Sequence, residues 1–134
     1  MPRFFTIDGR DFSNLEEFYE AIGAILVPGQ EWGKNLDAFN DVLRGGFGTP
    51  ENGWVLKWLN SESSRAALGY QATMRRLDGL LLTCHPSNRS IIEARIRSAR
   101  RGEGPTLFDE IVEIIRNHGP GGNESEDGLL LELA

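Results

Sequence analysis

Short runs of apolar and β-branched residues alternate along the chain with stretches in which apolar positions recur every three or four residues. Phe4-Phe5-Thr6-Ile7 is the first run, and with the turn pair Asp8-Gly9 behind it, it predicts a strand. Leu15, Phe18, Tyr19, Ile22 and Leu26 then share one face of a helix over 14–26. Ser13, with Glu16 three residues on, has capping-box spacing at its start, and Pro28-Gly29 ends it. Asn35 is a good cap for a second, shorter helix with Leu36, Phe39, Val42 and Leu43 on its apolar side and Gly45-Gly46 as its stop. Phe47 to Gly53 reads as a loop, and Trp54-Val55-Leu56-Lys57-Trp58 as a second strand. Strand, helix, helix, strand implies a right-handed crossover and a parallel pair.

The pattern turns helical after Ser61. Arg65–Leu68 predicts a short helix, Ala72–Leu82 another, and Ile91–Ala99 a third, capped by Asn88 or Ser90. Pro105 suits the start of a fourth, striped by Leu107, Phe108, Ile111, Ile114 and Ile115 and ending at Asn117-His118-Gly119. Gly119–Gly128 is polar, acidic and glycine-rich, a mobile loop on its composition. Leu129-Leu130-Leu131-Glu132-Leu133 predicts a final strand. No internal repeat is present. The expected class is α/β: a two-layer fold with a three-stranded parallel sheet packed with about five or six helices. At 134 residues it should form a single domain over 1–134, with an Arg-rich helical insertion at about 65–104.

Composition adds little to the class, but charge alters the picture. Hydrophobic residues are 40% and charged residues 25%, ordinary for a globular chain. The first residues show no apolar signal region and no run approaches the ~20 residues that span a bilayer. The single cysteine, Cys84, excludes an internal disulfide, so a cytoplasmic location is expected. The net charge of -6 hides an asymmetry. Arg65 to Arg101 holds eight arginines against Asp78 and Glu93, or +6, leaving six basic and eighteen acidic residues, or -12, elsewhere. Such a body repels nucleic acid and attracts a cationic partner, faster at low salt.

Asp37 and Asp41 stand four residues apart on the face of the second helix opposite Leu36, Phe39 and Leu43. Like charges at that spacing cost an isolated helix roughly 0.2–0.5 kcal/mol, of which the helix dipole returns a part at Asp37. A plain solvated face would carry the same charges. The surrounding stretch Trp32-Gly33-Lys34-Asn35-Leu36-Asp37-Ala38-Phe39-Asn40-Asp41-Val42-Leu43 resembles the inhibitory segment of the barstar family, intracellular inhibitors of the ribonuclease barnase. The first strand and capped helix, Trp54–Trp58, Phe108-Asp109-Glu110 and the terminal apolar strand resemble further parts of that family, about two-thirds of the chain.

The resemblance implies a protein inhibitor, not an enzyme, that needs no cofactor and no metal and is a monomer when free. Asn35 to Arg44 would be the helix that enters the partner's cationic active site. Asp41 would meet the phosphate-binding cations and Asp37 would support it from the same face. Trp32 would cover the site, and Glu110 on the last helix would contribute from the side. Trp32, Asn35, Asp37, Asp41, Arg44 and Glu110 are thus the candidate partner-binding residues. The partner would be a barnase-like ribonuclease or another protein with a cationic active site, reached without direct nucleic-acid or membrane contact. Several positions depart from the family pattern. Glu31 stands where a second aromatic is usual, Asn40 and Gly46 replace tryptophans, and Arg44 replaces a small hydroxyl residue. Ile114 takes the second acidic position of the last helix, and the Arg-rich segment is longer than its counterpart.

Other chemistries compete. Paired carboxylates can perform acid–base catalysis, but that requires a concave site which separates their pKa values. Glu31, Asp37 and Asp41 could attract Mg²⁺ or Ca²⁺, though no EF-hand spacing supports it. Cys84, His85 and His118 are too few for a structural zinc site. Gly45-Gly46-Phe47-Gly48 follows a helix, where a phosphate loop would follow a strand. Arg97, Arg100 and Arg101 could bind nucleic acid, but no aromatic residue interleaves from Arg89 to Arg101. A non-inhibitory protein-binding or regulatory module on the same scaffold stays open.

Overall fold

The computed structural model describes residues 3–44 and 53–134. The helix stop expected at Gly45-Gly46, the loop expected over 47–52 and the departure at Gly46 lie outside them. In chain order the elements are β1 (Arg3–Asp8), α1 (Leu15–Leu26), α2 (Leu36–Arg44), β2 (Trp54–Leu59), α3 (Ser61–Ala67), α4 (Tyr70–Thr83), α5 (Arg89–Arg100), α6 (Leu107–Arg116) and β3 (Leu129–Leu133). The three strands are parallel in the order β1-β2-β3, with Phe5 opposite Leu56 and Leu56 opposite Leu131.

Side chains alternate across the sheet, and the helix side holds most of its buried residues, while Val55 of the central strand is buried on the other face. Ile7, Trp54, Leu56, Trp58 and Leu129 are buried on the helix side. Phe4, Thr6, Lys57, Leu130 and Glu132 are exposed on the other. The core is aromatic. Trp58, fully buried, stacks on Phe18 at 5.7 Å, meets Phe108 edge-on at 5.2 Å, and donates its indole N–H to Ser64 Oγ at 3.0 Å. That hydrogen bond lets a polar ring atom sit in an apolar core at little cost.

Helix starts are where the structure departs from expectation. Asn14, not Ser13, caps α1: its side chain accepts from Glu17 N, while the Glu17 carboxylate accepts from Ser13 N and Oγ. The cap and its glutamate keep the expected spacing displaced by one residue, since Asn and Ser are equivalent caps, and the Glu17 carboxylate reaches one residue beyond the cap, to Ser13. α3 starts at Ser61, four residues before the expected Arg65, because Asn60 leaves β2 in the left-handed region (φ 52°) and turns the chain at once. α6 starts at Leu107, where Thr106 and Asp109 form a full capping box.

The ends of β1 and β2 are joined by polar contacts. Asn60 donates to Asp8 at 2.8 Å, and Arg10 donates its backbone N–H to Asp8 at 2.9 Å and its guanidinium at 3.1 Å. A side chain on Gly9 would run into the Asn60 carbonyl and Ser64 Oγ, so the close approach of this turn to β2 requires glycine. The Arg10 contacts, then Asn60, hold the Asp8 carboxyl down to about 2. An unfolded aspartate titrates near 3.9, so Asp8 contributes stability above that pH, lost as pH falls toward about 2. Asp8→Asn should therefore flatten the acid limb of the melting temperature between pH 5 and 2 in thermal unfolding (roughly the window bounded by those two values).

The Arg-rich segment is a helical hairpin of α4 and α5 docked on α6. Thr73, Leu77, Ile96 and Ala99 are its buried residues. Thr73 Oγ1 accepts from Leu107 N at 2.8 Å, and Tyr70 donates its hydroxyl to the Gly104 carbonyl at 2.8 Å. The Arg65 guanidinium lies 4.6 Å above the Phe108 ring.

Candidate functional site

α2 is built to show one face and bury the other. Phe39 (0% exposed), Val42 (2%) and Leu43 (1%) sit in the core, which fixes the helix roll. Asn35 caps its start, accepting from Ala38 N at 2.8 Å and bonding Phe39 N through its carbonyl at 2.8 Å. The residue before it, Lys34, is in the left-handed region (φ 50°), a conformation costing a non-glycine residue roughly 1 kcal/mol. Lys34 Nζ bonds Glu20 of α1 at 2.6 Å, which helps hold that turn. Asp37 and Asp41 are both exposed on the outward face.

Trp32 reaches the site from the connection before α2. Its ring is half-buried, packs edge-on against Tyr19 at 5.6 Å, and lies where a Cβ on Gly23 would stand. Gly23 thus provides the space into which the indole fits. Tyr19 beneath it is pushed up to about 12, chiefly by burial.

Behind the acidic face runs a polar network. Arg44 pairs with Asp41 at 3.0 Å and also with Glu124, which raises its pKa. Glu124 approaches His118 Nε2 at 3.4 Å. His118 is fully buried; Nδ1 lies 2.6 Å from Asp127 Oδ2 and Nε2 lies 2.7 Å from Asn40 Oδ1. The chain Asp41–Arg44–Glu124–His118–Asn40 therefore leaves α2, crosses the 118–128 segment and returns to α2. That segment also carries backbone bonds of its own, including Glu124 N to the Asn117 carbonyl at 2.8 Å.

Among the described residues, His118, Glu124 and Asp127 are the ligand-type side chains that converge, their donor atoms within 4.8 Å of one another. Both imidazole nitrogens already face oxygen atoms, and Arg44 occupies Glu124. The cluster is thus an ion-paired hydrogen-bond network.

Of the expected site residues, Trp32, Asn35, Asp37, Asp41 and Arg44 are carried on α2 and the turn leading into it. Glu110 stands apart. Its carboxylate is held between Arg76 of α4, at 3.2 Å, and Arg95 of α5, and only 18% of its side chain is exposed. α6 lies between α2 and the hairpin, and Glu110 serves the hairpin side.

The arrangement among the described residues, a parallel three-stranded sheet, six α-helices and an outward acidic α2, meets a family assignment over residues 2–85, described as barstar (barnase inhibitor). The chain belongs to the barstar family. The family supports a barnase-inhibitor-like scaffold with a protein partner in general; its members are inhibitors rather than enzymes. The match spans α2 with Trp32, Asn35, Asp37, Asp41 and Arg44, and stops between α4 and α5. Glu110 and the His118 network lie beyond it. No curated protein matches the chain. Among the described residues, no helix is long and apolar enough to cross a membrane.

Proposed function

We propose that this barstar-family chain is an intracellular, stoichiometric inhibitor of a ribonuclease, of the immunity type, occluding the enzyme's cationic active site with α2. One observation carries the reading: two exposed carboxylates, Asp37 and Asp41, project from a helix whose opposite face buries Phe39, Val42 and Leu43 in the core. A helix so anchored presents its carboxylates without an ordering cost on binding. An active site made for phosphates supplies Arg and Lys donors, and carboxylates satisfy them through charge-assisted hydrogen bonds. Trp32, seated on Tyr19 and Gly23, offers a rigid aromatic surface beside them. Asn35 contributes as the cap that sets the helix start.

The test is RNA cleavage by a barnase-type ribonuclease titrated with the protein, together with stopped-flow association at increasing salt. Inhibition should saturate at equimolar protein. The on-rate should fall by about tenfold or more between roughly 50 and 500 mM salt, as screening shortens the reach of the acidic face. A salt-insensitive on-rate would show that an apolar contact, not α2, drives recognition.

A second reading keeps the scaffold and replaces the nuclease by another protein with a cationic site. Asp41 is shared with Arg44, and Asn40 points inward to His118, away from any partner. Both features suit a partner whose cationic pocket differs from that of barnase. Nucleic-acid binding would fall to Arg97 and Arg100, exposed on α5 without an ion pair among the described residues. A gel shift lost on reversing both charges would reveal it.

A further inference from the structure

The two edges of the sheet are treated differently. β3 is closed at its start, where Leu129 N donates to the His118 carbonyl at 2.9 Å. On β1, among the described residues, no backbone bond other than those to β2 is made, so half of its N–H and C=O groups face outward unpaired. A groove of about 740 Å³ runs beside it, lined by Thr6, Ile7 and Asp8 of β1 and by Ala21, Ala24 and Ile25 of α1. Successive strand residues point to opposite faces, so a cavity touching three in a row lies along the strand's edge.

The rim of this groove is acidic. Asp11, Glu17 and Glu20 join Asp8 there, and no basic residue lines it. Arg10 and Lys34 pair with Asp8 and Glu20 from outside, Glu17 accepts from Ser13, and Asp11 has no ion pair among the described residues. The floor, by contrast, is formed by small and branched apolar side chains.

We propose that this groove binds an extended, lysine- or arginine-bearing segment of a protein partner as an added strand on β1. Main-chain hydrogen bonds to the open edge would supply affinity. Cationic side chains would meet the Asp8–Glu20 rim, and the alternate side chains, small and apolar, would lie over Ala21, Ala24 and Ile25. The groove contains no residue of α2, although its rim residue Glu20 pairs with Lys34 in the turn before that helix, and the proposal does not depend on the inhibitor reading.

A fluorescein-labelled octapeptide of alternating lysine and valine tests this by anisotropy, beside a glutamate–valine peptide of the same length. The lysine peptide should bind with one-to-one stoichiometry and slow hydrogen exchange at β1 amides, and the glutamate peptide should not bind. Ala24→Arg, at an exposed helix position, and Asp11→Lys should each weaken it by about tenfold. Asp37→Ala/Asp41→Ala should bind it within about twofold of the native chain, because α2 is elsewhere. Equal binding of the two peptides, no binding, native binding by both Ala24→Arg and Asp11→Lys, or loss in the α2 double variant would overturn the proposal. So would a native dimer dissolved by Ala24→Arg, which would make the occupant a second copy of this chain.

Discussion

Asp41→Ala should cost a cationic-site nuclease about 2–5 kcal/mol of binding while leaving the fold intact. That is a general range for truncating one partner of a desolvated charge pair, to which the barnase–barstar interface itself contributes. Locally the substitution removes two small opposed contributions. Repulsion from Asp37 is worth roughly 0.2–0.5 kcal/mol. The Arg44 pair, with both side chains about half exposed, is worth roughly 0.2–1 kcal/mol. Arg44 keeps Glu124, so no cation is stranded. The melting temperature should therefore barely move. Calorimetric titration of the native and variant chains against the same nuclease, with Glu132→Ala on the open sheet face as a charge-matched control, measures both effects. An affinity unchanged in Asp41→Ala would remove Asp41 from the interface, and an equal loss in Glu132→Ala would reduce its role to net charge.

The expectation for Asp41 came from the sequence because its carrier is locally encoded. Asn35 caps α2, Phe39, Val42 and Leu43 set its roll, and the outward positions follow from the helical period alone. The strands are legible for the same reason: Trp54–Leu59 is nearly all apolar, with Trp54, Val55, Leu56 and Trp58 buried, the pattern of a central parallel strand covered on both faces. What period and caps do not carry is pairing across long separations. Glu110 sits in the right register of α6, yet its carboxylate is claimed by Arg76 and Arg95, 34 and 15 residues away. The arginine segment thus spends part of its charge inside the molecule. In the sequence, His118 reads as a metal ligand short of partners. Its true neighbours, Asn40 and Asp127, became visible only when α2 and the segment after α6 were placed together. A faint signal existed: Asn40, next to Phe39, falls on the boundary of the buried stripe, where a polar side chain needs a partner.

That buried imidazole should carry the largest stability effect of any polar side chain in the protein. His118→Ala removes the shared partner of Asn40 and Asp127 and leaves a void where the fully buried ring stood, beside partners that are themselves partly exposed. Leaving buried polar groups unsatisfied costs about 1–3 kcal/mol each. Allowing for relaxation toward solvent, the loss should be about 2–4 kcal/mol, roughly 7–14 °C in melting temperature for a domain of this size. His118→Gln keeps one of the two hydrogen bonds and should lose about half as much. His118→Ala and Asn40→Ala should combine to less than the sum of their separate effects, because they share one interaction. Additive losses in that cycle would mean that His118 and Asn40 stabilise the chain independently. Salt separates the network from the face it supports. The exposed Asp37 and Asp41 act through a field that ions screen, whereas His118, with no exposed surface, acts through contacts that ions do not reach. At high salt the on-rate advantage of α2 should vanish while the destabilisation by His118→Ala persists. On the proposed reading, recognition and the positioning of α2 rest on different physics, joined through Arg44, which pairs with Asp41 on one side and Glu124 on the other.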